Sequence, residues 1–165
     1  MESGKLFAIL GGILTLLGTY VFAMYGVAAS YAGSGIGFIL NIPALFSEAD
    51  TIGPALYPQI WIYYVVLIIF IVFLAAGLLQ IIFKGSKALS LFFSLFPLGI
   101  GLWFLILTFI PDLLGYRSYF FYIVFGGEHY GSIYPFIINL GDAGLGIYLT
   151  LAGGVLGFIS VFMEH

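Results

Sequence analysis

Hydrophobic positions fall into four long runs, and the segments between them hold nearly all the charge. The first run extends from Leu6 to about Ala28 without a charged residue. The second covers about Ile60 to Phe83, where Gln80 is the one amide. The third covers about Ala88 to Ile110, with Ser94 and Thr108 inside it. The fourth begins between Pro135 and Ala143 and ends near Phe162. A bilayer core about 30 Å thick needs roughly 20 apolar residues in a helix. The pattern therefore predicts four transmembrane helices, at about 6–28, 60–83, 88–110 and 138–162, in one domain covering 1–165. The first run exceeds the roughly 7–15 residues of a signal-peptide core, so a retained span is expected. The expected fold is an all-α membrane protein, a four-transmembrane-helix bundle. A small ordered outer cap is added by two outer loops, about 29–59 and 111–137.

The two loops are too apolar to be disordered. In the first, glycines and prolines flank "IGFILNIPALF". Asn41 before Ile42 and Pro43 reads as a helix start, so a short helix about Ile42–Ala49 is expected to lie flat on the membrane. In the second, "YFFYIVF" is aromatic and β-branched and ends at Gly126 and Gly127, which is a strand signature with an interfacial helix as the competitor. As a strand it would place Tyr119, Phe121, Ile123 and Phe125 opposite Phe120, Tyr122 and Val124. Both faces then need cover. The first loop is expected to supply one cover and a neighbouring chain the other, which makes Tyr119, Phe121, Tyr122 and Phe125 the candidate outer assembly surface.

Small residues suggest where helices touch. The fourth run has Gly153 and Gly157 in a G-x-x-x-G arrangement with Gly146 on an adjacent ridge, and the first has Gly11 and Thr15. Helices in lipid associate by such close packing, so Gly11, Thr15, Gly146, Gly153 and Gly157 form the candidate helix-packing interface. Pro97 removes one helical hydrogen bond and crowds the Phe93 carbonyl, predicting a kink. Asp142 is either an interfacial helix cap, as "GDAG" suggests, or an embedded carboxylate whose candidate partner is Arg117, the only arginine.

Composition excludes more than it assigns. Hydrophobic residues make up 63% of the 165-residue chain and charged residues 7%, with mean hydropathy +1.22, far below the roughly 25% charge of a soluble domain. A net charge of −3 gives no basic patch for nucleic acid. With no cysteine and two histidines, thiolate or histidine metal sites and cysteine nucleophiles lack their parts, and no cofactor, metal or catalytic residue is expected. Glu128 and His129 read as a solvated hairpin tip.

Lys5, Lys84 and Lys87 lie before the first run or in the turn "KGSK", so both termini are expected to be cytoplasmic. Tyrosine is absent from Val65 to Gly115 and frequent in the outer loops, which agrees with that orientation. The topology resembles that of claudin-like proteins and tetraspanins in architecture only, since the tryptophan–cysteine and Cys-Cys-Gly motifs are absent. The expected protein is a non-enzymatic, multi-pass subunit of the cell membrane, in contact with membrane lipid. It would self-assemble as a homo-oligomer or stabilise a larger membrane complex through its aromatic outer layer and small-residue faces. The alternatives are an oligomeric channel or carrier for a small solute, and an accessory subunit of a respiratory or transport complex.

Overall fold

The computed structural model describes residues 2–26, 31–128 and 133–163, and of residues 31, 114, 116–119 and 128 the backbone alone. The chain is mostly helical. Helix α1 (Ser3–Leu16) continues through a π-helical turn (Leu17–Val21) into strand β1 (Tyr25–Gly26). Strand β2 (Tyr31–Gly33) leads to α2 (Gly35–Ser47), α3 (Ala49–Leu56), α4 (Ile60–Ile82) and α5 (Lys87–Phe109). A 3₁₀ segment (Pro111–Arg117) precedes α6 (Ser118–Phe125) and β3 (Gly126–Glu128). The hairpin β4 (Asn139–Leu140) and β5 (Ala143–Gly144) then opens α7 (Leu145–Ser160).

Among the described residues, three helical runs are long and apolar enough to cross a membrane. They are Ser3–Val21 with 19 residues, and α4 and α5 with 23 each. Helix α7 has 16 residues and falls short of that length. The α4 and α5 boundaries agree with the hydropathy runs to within a residue. The other two differ, and the fold is not all-α. The first run stops being helical at Val21, because Phe22 turns extended and its successors enter β1. The fourth run begins with a hairpin, because Gly141 adopts φ +70° at a two-residue turn, a position that glycine occupies without strain.

Helices α1, α4, α5 and α7 pack as a ring, each chiefly against two others with a minor α1–α5 contact across it, and α5–α7 and α1–α7 are the most extensive contacts. The cap sits at the end where α4 begins. Its sheet has the order β1-β2-β3, antiparallel throughout, with Ala32 opposite Gly26 and Gly127. The segment "YFFYIVF" is helical, which corrects the strand reading. A period near 3.6 lets Phe120, Phe121, Val124 and Phe125 share one buried side while Ile123 points out, whereas a strand would leave half of them uncovered. The first outer loop does pack on it, as α2 against α6.

The cap is a wedge, not a lid. Phe125 packs on Phe70, Phe73 and Phe104 at ring separations of 5.5, 6.0 and 5.2 Å. Phe120 packs on Tyr57 and Tyr63, and Phe121 on Phe70, Trp103 and Phe104. Phe73 lies about 20 Å along α4 from Ile60 at 1.5 Å per residue. The lower end of α6 is therefore well inside the bundle. Helix α2 lies beside it and does not lie flat. Phe38 meets Phe70, the Tyr63 hydroxyl donates to the Leu45 carbonyl at 2.7 Å, and Phe46 stacks on Tyr64. These contacts run antiparallel along α4.

Asn41 holds the two short helices together. It is not a helix start, because α2 begins at Gly35, where the Ser34 hydroxyl accepts from the Gly37 N–H at 3.2 Å. The Asn41 amide instead donates to the carbonyls of Ile123, Val124 and Gly126 at 3.1, 3.1 and 2.7 Å. The first two carbonyls lie in the last turn of α6 and the third just beyond it, where the helix no longer supplies donors. Asn41→Leu keeps the volume and removes the donors. It is expected to cost about 1–3 kcal/mol, as for buried acceptors left unpartnered. Hydrogen exchange in detergent should quicken in α2 and α6 before it does in α4. Unchanged exchange in α2 and α6 would show that Asn41 is not the clasp.

Candidate functional site

The α1–α7 seam is built from backbone. A Cβ at Gly11 would lie 2.7 Å from the Gly153 carbonyl oxygen and 2.8 Å from the Gly157 nitrogen. At Gly153 it would strike the Thr15 hydroxyl and lie 2.6 Å from the Gly11 carbonyl oxygen. At Gly146 it would lie 2.7 Å from the carbonyl oxygens of Gly18, Phe22 and Ala23. The structure thus brings Gly11, Thr15, Gly146, Gly153 and Gly157 together on one seam inside the chain. The Thr15 hydroxyl that faces Gly153 donates back to the Gly11 carbonyl at 2.9 Å, so its hydrogen bond is made within α1.

Gln80 and Pro97, which the sequence leaves unconnected, meet in the interior. Proline has no N–H, so the Phe93 carbonyl one turn before Pro97 loses its helical donor. The fully buried Gln80 Nε2 donates to that carbonyl at 3.4 Å, a long bond that ties α4 to α5. Its Oε1 has no hydrogen-bond partner and lies where a Cβ at Gly157 or Gly11 would come within 2.9 or 3.1 Å. One amide therefore touches all four helices of the ring. Nearby, the Ser90 and Ser160 hydroxyls bond at 3.0 Å across α5 and α7. The Thr19 and Thr150 hydroxyls are buried without partners. Among the described residues no three of His, Cys, Asp and Glu come together.

The outer residues distribute differently from the sequence expectation. Phe121 and Phe125 are 7% and 0% exposed and belong to the chain's own core, so they form no outer surface. Tyr122 is half-buried, its ring edge-on to Tyr25 at 4.8 Å. The Tyr119 side chain lies outside the described residues, as do the Arg117 side chain and His129. Asp142 is exposed in the β4–β5 turn. It does not cap α7, because the residue before that helix is Gly144 and no side chain caps that end. The pairing of Arg117 with Asp142 rests on a side chain outside the description.

An open apolar groove of about 550 Å³ runs along the side of the molecule between α4 and α5. Val66, Ile69, Phe92, Leu95 and Trp103 form its walls, and Phe121 closes its cap end. Phe70 and Ile100 lie buried at its base, and Gly99 lines it in an exposed position where an added Cβ would meet nothing within 4 Å. The signal for it was present in the sequence as "FPLGIG", which the kink reading absorbed.

Two substitutions separate the seam from the groove. Gly153→Ala should destabilise by about 1–3 kcal/mol, as overpacking does, while Gly99→Ala should be neutral. Thermal unfolding in detergent reads both, and equal effects would contradict the seam geometry. Gln80→Met should cost less in a Pro97→Ala background than alone, because alanine restores a helical donor to the Phe93 carbonyl. Strict additivity in that double-mutant cycle would remove the proposed link.

Set against family models, curated proteins and solved structures, the chain matches none.

Proposed function

We propose that the chain is a non-enzymatic integral membrane protein in which α7 forms a fourth span, and that it serves as a structural subunit binding neighbours along its side. Helix α7 is about 24 Å long at 1.5 Å per residue. It is extended toward the cap by β5, whose Ala143 and Gly144 are buried. Irregular backbone at membrane depth is tolerated where protein covers it. The lysines of "KGSK" support an inward turn and inward termini.

The observation that carries the reading is the α4–α5 groove. Of the two surfaces first suggested for assembly, Phe121 and Phe125 of the aromatic layer and the glycine face are buried inside the chain. The groove is apolar throughout, and the exposed Gly99 on its lining lets another backbone come close, as small residues do at helix contacts in lipid. A transmembrane helix of a second copy or of another subunit fits that chemistry.

The test is particle size in mild detergent. Wild type should run as a discrete assembly, and Gly99→Phe, which adds a ring to the exposed groove lining, should run as a smaller particle with unchanged thermal stability. A wild-type monomer, or an assembly indifferent to Gly99→Phe, would overturn the reading. Orientation is checked separately in intact cells. A cysteine at Asp142 should react with an impermeant thiol reagent and one at Ser86 should not. No native cysteine interferes.

A further inference from the structure

We propose that α2 and α6 are a pair of half-depth helices entering the bilayer from the cap side. The outward face of α2, formed by Ile39, Leu40 and Pro43, is a lipid-contact surface whose occupant is acyl-chain hydrocarbon. This rests on the membrane reading above and adds to it.

Depth is the first argument. Helices α1 and α4 touch at Gly12 and Gly77, where a Cβ on either would lie 2.5 or 2.9 Å from the other's carbonyl oxygen. Counting equally along the antiparallel pair brings Thr19 level with Phe70. Gly35, the first residue of α2, rests on Thr19, since its Cβ would lie 2.9 Å from the Thr19 carbonyl oxygen. Phe38 independently meets Phe70 at 6.1 Å. Phe70 is about 15 Å along α4 from Ile60, near the middle of a span. From there α2 climbs beside α4, so Leu40 lies about 7 to 12 Å below the level of Ile60.

Polarity is the second argument. No charged residue occurs from Tyr31 to Ser47, and the first, Glu48, arrives about 20 Å above Gly35, just past the start of α4. A helix facing water turns its polar residues outward. Helix α2 does the reverse. Its amide, Asn41, is turned onto backbone carbonyls, while Ile39, Leu40 and Pro43 are exposed, Leu40 at 59%.

The helix ends are the third argument. A helix that stops inside hydrocarbon must have its terminal backbone groups satisfied by protein. The deep end of α6 is tied off by Asn41, and the deep end of α2 by Ser34. The Ser34 N–H also donates to the Phe125 carbonyl at 2.9 Å.

The experiment uses the full chain in phosphatidylcholine vesicles, with single nitroxide labels on cysteines at Leu40, at Ile68 on the exposed face of α4, and at Asp50 on α3. The readout is the ratio of collisions with oxygen to collisions with a water-soluble nickel chelate. The label at Leu40 should give a ratio like that at Ile68 and several-fold above that at Asp50. A label at Ile39 repeats the measurement if Leu40→Cys fails to fold. A water-like ratio at Leu40 with a lipid-like one at Ile68 overturns this proposal alone. Protection at Leu40 from both collision partners overturns it in favour of a protein neighbour. A water-like ratio at Ile68 overturns the membrane reading beneath it.

Discussion

The architecture depends on α1 being able to touch α7 and α4 through bare backbone. Gly11 and Gly18 meet α7 at Gly153 and Gly146, and Gly12 meets α4 at Gly77. Side chains cannot be interposed there, so the three helices are fixed in register before any larger residue is placed. Toward the cap the glycine contact between α1 and α4 ends at Gly77. Leu16 still faces Gly77, and beyond it the link is made by a long side chain, the Tyr20 hydroxyl donating to the Leu74 carbonyl at 2.6 Å. Above that point the two helices are held apart by inserted structure. The gap is the room that α2, α6 and their phenylalanines occupy. A tight half and a splayed half thus follow from where the glycines stop.

Much of this was legible in the sequence, and the failures have physical causes. The bounds of α4 and α5 could be read because each is one unbroken apolar run. The ends of the other two runs could not, because their cap-side residues are apolar for a different reason. Ala23 to Tyr25 and Ala143 to Gly144 belong to extended pieces buried against other protein, and hydropathy does not distinguish lipid from protein as the covering medium. The glycine seam was visible as residue spacing, since Gly11, Gly146, Gly153 and Gly157 are small for one purpose. The segment "YFFYIVF" was misread because aromatic and β-branched residues favour a strand only weakly. What decided its conformation was the one-sided cover offered by Phe70, Phe73 and Phe104, which rewards a helical period.

The two isolated amides were the least legible residues and show one rule at work. Asn41 read as a helix start before Ile42 and Pro43, and Gln80 looked like a lone polar residue in a greasy helix. Each answers a backbone carbonyl that its own helix cannot satisfy. Asn41 meets the end of α6, and Gln80 meets the carbonyl orphaned by Pro97. In water such carbonyls would be hydrated and neither amide would be required. In a medium without water an unpartnered carbonyl is costly. A helix break is then admissible only where a side-chain donor from another element reaches it. Reading a sequence of this class, an amide deep in an apolar run should therefore be paired with the nearest break in some other helix. The break names the acceptor and the amide names the donor. The contact between them fixes which helices are neighbours before any hydrophobic contact is considered.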